Sequence, residues 1–305
     1  MPEKPEVITV TKKLEKKLLG RVIKSVDVRY ERMIDYPDVN TFKKNIINQK
    51  FNSFTTRGKW IVCELDKDYL LFHLRMEGKF FFRNKTDEYT KHEHVIFNLD
   101  NDEQLRFADV RKFGRVMLIP KDKLLTMKPY NELGLEVWDK DLTCSYLKEK
   151  FKNKRLPIKS LLLDQSIITG IGNIYADEIL FLSKVNPLIE GSLLKDKDLN
   201  NIIKYSVEVL DKAILEGGTT IRSYTSEEGV TGNFQNNLYV HQREKEKCRI
   251  CNSTIVKTRV GGRGTYFCPK CQKEKKWFTS FLFLMNRLWL YVFFSLFLEC
   301  NYQSY

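Results

Sequence analysis

Four cysteines close together near the C-terminal end constrain this chain most: Cys248-x-x-Cys251, sixteen residues, then Cys268-x-x-Cys271. Four thiolates at this spacing fit a tetrahedral structural zinc site, and a closed four-sulfur shell leaves no open position for catalysis. One structural zinc is expected, shaping a binding surface. Two unrelated redox pairs are the weaker alternative. Ile255 to Val260 and Thr265 to Cys268 read as two strands joined by Gly261-Gly262-Arg263-Gly264, a zinc ribbon whose hairpin tip presents Arg263. The chain has seven cysteines in all, too unevenly spread for a disulfide framework. Its first twenty residues are dense in charge and do not read as a secretory signal, so a reducing cytoplasmic setting is expected.

At 305 residues the chain exceeds what one core usually serves. Met1 to Gly20 reads as a short extended start followed by a helix, with Val7, Val10, Leu14 and Leu18 on one face. Short strands rich in β-branched and aromatic residues follow from about 22 to 120, among them Trp60 to Leu65, Tyr69 to Leu74, Lys79 to Arg83, Val95 to Leu99 and Val116 to Ile119. They suggest a β-sandwich, with a helix over Asp38 to Asn48 beside it. From Leu142 to about Gly217 the periodicity is helical. The expected architecture is α+β and multidomain: a β-sandwich domain over 1–128, a linker at 129–141, a helical domain over 142–237, a zinc ribbon over 238–273 and an atypical hydrophobic tail over 274–305. Within the helical domain, 217–237 is polar and glycine-containing, a mobile loop on this reading.

Lysine and arginine number 52 against 39 acidic residues, a formal net charge of +13. Such an excess suits a polyanion, either nucleic acid or an anionic membrane surface. Cutting the chain before Glu274 removes three basic and two acidic residues and leaves +12, so the basicity belongs to the body. Phe278 to Leu298 is long enough on paper to span a bilayer, yet Asn286 and Arg287 sit in its middle, where an arginine is costly. The tail is either a membrane-associating extension or a read-through past the usual stop, and the second is preferred.

Four places could carry chemistry. Pro2 is small enough behind Met1 for the methionine to be removed, exposing a secondary amine. An α-amino group titrates near about 8, and the start of the following helix should lower that further. Such an amine attacking a sugar C1′ gives an iminium ion, an electron sink for elimination, with Glu3 and Glu6 beside it as proton donors or acceptors. Prolines and acidic residues are also ordinary in a first helical turn. The second place is Leu162 to Glu178, where one helix ends and another starts near Asn173; backbone N–H groups there could bind a phosphate, although helix–turn–helix is also common architecture. Third come basic residues of the first domain: Lys59 after Gly58 in a turn, His73 and Arg75 at a strand end, and Arg111 in Asp109-Val110-Arg111-Lys112-Phe113-Gly114. Arginine interleaved with aromatics suits phosphate contact and base stacking; read singly, each is ordinary surface. Fourth, His92 and His94 could ligate a metal but lack nearby acidic or thiol partners.

Taken together these features resemble the formamidopyrimidine-DNA glycosylase family of bifunctional repair enzymes. The resemblance rests on Met1-Pro2-Glu3-x-Pro5-Glu6-Val7, His73-Leu74-Arg75-Met76-Glu77-Gly78, Arg111-Lys112-Phe113-Gly114, Gly172-Asn173-Ile174-Tyr175-Ala176 and the four-cysteine ribbon, in the family's order over residues 1 to about 273. It implies a helix–two-turn–helix domain with DNA held between it and the sandwich. By the same matches it implies Pro2 as nucleophile, Glu3 as the acid–base residue and Glu6 as support. Lys59, His73, Asn173 and Arg263 would hold phosphates around an everted nucleotide. Met76, Arg111 and Phe113 would fill the hole left in the stack, Arg111 reading the orphaned base, and the 217–237 loop with Arg222 and Tyr224 would cover the lesion.

The filling trio leans toward oxidised purines such as 8-oxoguanine and formamidopyrimidines. Implied partners are damaged duplex DNA and no small-molecule cofactor, with a monomeric, cytoplasmic, nucleoid-associated protein. Two alternatives stand: an endonuclease VIII-like glycosylase for oxidised pyrimidines, and a non-enzymatic zinc-ribbon DNA-binding protein. The chain departs from the family pattern at two motif positions, and its tail beyond Lys273 has no counterpart in the typical member. Lys4 replaces a usual apolar residue and is expected to be a surface change of little consequence. Val240-His241-Gln242 replaces Val-Tyr-Gly before the ribbon and puts the zinc module's orientation in question.

Overall fold

The chain start is extended through Glu3 and turns helical at α1, Lys4–Leu18, whose buried stripe includes Val7, Leu14 and Leu18. Pro5 sits in the first turn, where a missing N–H costs a helix nothing. The computed structural model describes residues 1–219 and 232–274. Arg222, Tyr224 and the tail from 275 onward therefore lie outside the described residues. All elements below belong to one unit, Met1–Gln272.

Nine strands follow α1: β1 Ile23–Val28, β2 Ile34–Tyr36, β3 Ser53–Arg57, β4 Trp60–Glu64, β5 Asp68–His73, β6 Lys79–Asn84, β7 Glu93–Leu99, β8 Glu103–Ala108 and β9 Arg115–Pro120. Helix α2, Val39–Ile46, lies between β2 and β3 and is capped by Asp38, which accepts the Asn40 and Thr41 N–H groups. The strands form two sheets, β1-β7-β8-β6 and β2-β9-β5-β4-β3, with β2 parallel to β9 and the other pairings antiparallel. Their inner faces share one core, in which Phe72 of the second sheet meets Phe97 and Phe107 of the first edge-on at 5.8 and 5.6 Å. This is the expected sandwich. Each fully buried phenylalanine there contributes roughly 1.5–3 kcal/mol.

Register decides what the sandwich presents at one end. His73 closes β5 opposite Trp60, the first residue of β4, and Arg115, the first residue of β9. Because these neighbours are antiparallel, the Gly58-Lys59 turn, the segment after His73 and the loop before Arg115 all leave the sheet from the same edge. Lys59, His73, Met76, Arg111 and Phe113 are thereby brought to one place from three distant stretches of chain.

The helical half comprises α3 Cys144–Phe151, α4 Ile158–Leu162, α5 Asn173–Leu182 and α6 Asp196–Leu215. They enclose a second core with Phe151, Leu161, Ile168, Tyr175, Ile179 and Leu210 fully buried or nearly so. The turns between α4 and α5 make this a helix–two-turn–helix. The stretch 129–141, expected as a linker, is firmly tied down: Leu135 bridges to Ile168, Val137 is buried and Glu136 is ion-paired. No helix among the described residues is long and apolar enough to cross a membrane.

The ribbon is β10 Val256–Val260 paired with β11 Arg263–Phe267. Its turn is shorter than the sequence suggests. Only Gly261 and Gly262 form it, both at positive φ (54° and 75°), the geometry of a two-residue hairpin turn. Arg263 is consequently the first residue of β11, exposed and paired with Val260, rather than a tip residue.

Candidate active site

The site is built around the chain start. Pro2, Glu3, Lys4 and Glu6 are all buried. Glu6 accepts the Glu3 N–H at 2.8 Å through one carboxylate oxygen. Its other oxygen accepts the Tyr175 hydroxyl at 2.5 Å, the Thr219 N–H at 2.8 Å and the Thr219 hydroxyl at 3.1 Å. One carboxyl group thus ties α1 to α5 and to the entry of the 217–237 loop. Burial first, then the neighbouring Glu3, pushes the Glu6 pKa up. At the loop's exit Asn233 bridges back to Thr219, so both described ends of that loop are anchored.

Glu3 reaches across to α5. Its carboxylate oxygens accept the N–H groups of Ile174 at 2.9 Å and Tyr175 at 3.4 Å. A Cβ on Gly172 would stand 2.3 Å from the Glu3 carboxyl carbon, so any larger residue there would push the carboxylate out of this position. This corrects the expectation that the start of this helix offers its backbone to a phosphate. Those N–H groups are occupied by a side chain of the protein. Each carboxylate oxygen retains a lone pair to face a substrate.

Lys59 is also buried. Burial lowers its pKa, opposed by Glu3 and Glu6 and assisted by Arg263, which places all four charges in one neighbourhood. The Met1 amine is likewise pushed below its ordinary value, burial being the largest cause, with Glu3 and Glu6 opposing and Lys59 adding to the fall. His73 is buried edge-on against Trp60 at 4.9 Å, and its Nδ1 accepts the Arg75 N–H at 3.0 Å. The ring proton then sits on Nε2. Burial, followed by Arg75 and Lys59, takes its pKa down to about 3, so the ring is a neutral donor at ordinary pH.

Beside this pocket residues 110–113 are exposed and held from beneath. Asp109, buried, accepts the N–H groups of Arg111 at 2.9 Å, Phe113 at 2.9 Å and Gly114 at 2.6 Å. The Arg111 guanidinium lies 4.8 Å from the centre of the Phe113 ring, and both side chains face solvent. Met76 is half-buried. Asp109 escapes a reading of the sequence, although a short acid ahead of a glycine turn is a recognisable signal. His94 is fixed by the Asp109 carbonyl at 2.9 Å. Among the described residues, the group of side chains able to hold a metal is the four cysteines.

Those cysteines fit zinc. Their sulfurs all lie within 4.8 Å of one another, with Cys251 to Cys268 at 3.4 Å and Cys248 to Cys271 at 3.9 Å. Thiolates on a tetrahedral zinc with bonds of ~2.3 Å stand ~3.8 Å apart. Cys248, Cys251, Cys268 and Cys271 hold one structural zinc, which fixes the ribbon's fold and leaves the chemistry to other residues.

The ribbon's orientation is set by helix contacts that the sequence does not reveal. Asn173 donates to the Gly264 carbonyl at 3.0 Å, and Lys159 donates to Gly264 O and Thr265 Oγ1, both at 2.9 Å. Lys159 is ion-paired at 2.7 Å with Asp177, which also holds His241 Nδ1 at 2.7 Å. Glu178 accepts three successive N–H groups, Tyr239 to His241. His241 is therefore integrated, whereas Gln242 occupies the left-handed region at φ 60°. Lys4 corrects an expectation as well. It is 3% exposed and paired with Glu136 at 2.8 Å, not a surface residue.

A sandwich, a helix–two-turn–helix body and a four-cysteine ribbon meeting around a buried chain start define a zinc-ribbon DNA glycosylase. The Formamidopyrimidine-DNA glycosylase N-terminal domain matches residues 1–116, the H2TH domain of the same enzymes 133–225, and the zinc finger found in FPG and IleRS 245–273. Together with relatives about 40% identical, these matches show that the chain belongs to the formamidopyrimidine-DNA glycosylase family. The Formamidopyrimidine-DNA glycosylase of Oceanobacillus iheyensis is 42% identical, over 90% of this chain and 99% of its own. A point mutant of the Lactococcus lactis FPG, in complex with Fapy-dG-containing DNA, superposes with a TM-score of 0.84 at 38% identity, over 90% of this chain and all of that one. The wild-type Lactococcus lactis Fpg bound to DNA containing an oxidised pyrimidine gives 0.82 at 37% identity with the same coverage.

Proposed function

We propose that the protein excises oxidised purines, 8-oxoguanine and formamidopyrimidines, from duplex DNA and then cuts the abasic strand through a covalent intermediate on Pro2. The observation that carries this reading is the burial of Pro2 beside a Glu3 carboxylate held against α5, with Lys59 in the same neighbourhood. Once Met1 is removed, the Pro2 nitrogen attacks C1′ of the damaged nucleotide. The N–C1′ bond forms as the glycosidic bond breaks, and the base leaves with its electron pair and takes up a proton. The amine loses its N–H proton, the C1′–O4′ bond opens with a proton delivered to O4′, and the nitrogen lone pair completes the iminium. The resulting iminium takes up electrons as a proton leaves C2′ and the C3′–O bond breaks. A second elimination, with loss of the C4′ proton, breaks C5′–O, and water then releases Pro2. Glu3 exchanges protons at the sugar, and Glu6 holds the chain start in place.

Lys59, neutral His73, Asn173 and Arg263 grip phosphates around the everted nucleotide. Met76, Arg111 and Phe113 enter the vacated stack, and Arg222 and Tyr224 in the 217–237 loop cover the lesion. Unstacking costs a few kcal/mol, roughly offset by the inserted side chains. The test is a cleavage assay on duplexes carrying 8-oxoguanine, a formamidopyrimidine or thymine glycol. The purine lesions are expected to be cut fastest. Preference for thymine glycol would favour the endonuclease VIII-like reading.

A further inference from the structure

Lysine is almost never fully buried unless it is paired, and Lys4 is 3% exposed directly behind Glu3. Its N–H donates to the Gly170 carbonyl at 3.1 Å, in the loop that leads to α5. Its Nζ is ion-paired with Glu136 Oε1 at 2.8 Å and donates to the Thr56 carbonyl at 3.3 Å. The same Glu136 oxygen accepts the Gly58 N–H at 2.8 Å, one residue before Lys59, and lies 3.6 Å from the Arg57 guanidinium. Arg57 in turn donates to the Leu133 and Gly134 carbonyls at 3.1 and 2.7 Å. One carboxylate oxygen therefore joins the residue after Glu3 to the residue before Lys59, and the 133–136 stretch braces both.

We infer that Lys4 and Glu136 are positioning residues: an ion pair between a buried lysine and a mostly buried glutamate that sets where the chain-start amine and Glu3 stand relative to Lys59. The inference rests on the proposed roles of Pro2, Glu3 and Lys59. A buried ion pair is a poor source of stability, since an apolar pair of similar size often does as well, but its geometry is specific. Burial pulls the Lys4 pKa down, while Glu136 foremost, and Asp139 after it, hold it up. Neither side chain is needed to touch DNA. Their contribution is the relative placement of two segments that do, where a shift of about 1 Å can cost ~10²-fold in rate.

The test uses the full chain with four variants: Lys4→Met, Glu136→Gln, the two combined, and Glu136→Asp. Three quantities are measured: Tm, Kd for a duplex holding a tetrahydrofuran abasic analogue, and the single-turnover rate of borohydride trapping on an abasic-site duplex at saturating enzyme. Glu136→Gln leaves the buried Lys4 ammonium without its carboxylate, and Lys4→Met leaves Glu136 only the more distant Arg57, so each single variant is expected to lower Tm. The double variant should regain Tm and bind the analogue within about twofold of the parent, yet be trapped ~10–100-fold more slowly. Glu136→Asp keeps the charge and the fold but shortens the reach by one methylene, and should slow trapping with Kd unchanged. Recovery of the trapping rate together with Tm in the double variant, or an unaltered rate in Glu136→Asp, would overturn the inference. Absence of trapping in the parent protein would instead overturn the Pro2 reading on which it rests.

Discussion

At the scale of single residues, burial governs the chemistry of the chain start. The Met1 amine lies below its ordinary value chiefly because it is desolvated, and a Pro2 amine in the same surroundings inherits that environment. The nucleophile is the deprotonated form, so trapping should rise with pH and level off below the ~8 of a free α-amino group. Trapping rates on an abasic duplex between pH 5 and 9 check this; a limb still climbing above 8 would contradict it. Arg111 offers a second prediction. If it hydrogen-bonds the orphaned base, Arg111→Ala should weaken discrimination between cytosine and adenine opposite the lesion, a contact of this kind discriminating by ~1–3 kcal/mol. Unchanged opposite-base preference would remove it from that role. Pro2, Glu3, Glu6 and Arg111 can be picked out as candidates from the sequence because each lies in a short motif. Asp109 and Lys4 cannot, because their meaning comes from groups that converge on them only in three dimensions: three N–H donors on one, and Glu136 on the other.

At the scale of elements, strands and helices follow hydrophobic periodicity closely, since each buries one face. Boundaries set by backbone geometry do not. In sequence the ribbon turn reads as four residues because glycines flank Arg263, whereas two glycines at positive φ suffice to reverse the chain. The α5 start reads as a phosphate cradle because its partner, Glu3, is about 170 residues away in sequence. The same logic gives a prediction at Gln242. A side chain in the left-handed region costs roughly 1–2 kcal/mol, part of which glycine returns through greater freedom of the unfolded chain. Gln242→Gly should therefore raise stability by up to ~1 kcal/mol, read as a higher urea midpoint with zinc retained. A lower midpoint would show that the glutamine side chain contributes more than its backbone costs.

For the whole molecule, the four motifs lying in described residues that the sequence singles out in the sandwich and helices meet around the chain start, and the ribbon reaches them through Asn173, Lys159 and Asp177. The ribbon and the sandwich–helix body are therefore legible as parts, while the polar contacts that fix their orientation are not, because Asp177 and Lys159 look like ordinary helix residues in sequence. The body alone carries a net +12, and every residue in the proposed site precedes Lys273. Truncation after Lys273 should accordingly leave zinc content and excision rate unchanged. A truncated protein that folds and binds zinc yet cannot excise would assign the tail a part in function.

The central claim is that one secondary amine at the chain start links base removal to strand cleavage. Its most direct measurement is borohydride trapping on lesion-bearing duplex DNA followed by peptide mapping of the adduct. The account predicts a stable protein–DNA adduct on Pro2, in protein that has lost Met1, with trapping absent when Met1 is retained. An adduct on Lys59 or another internal lysine, or strand cleavage by a Pro2→Gly variant with a blocked amine, would contradict it.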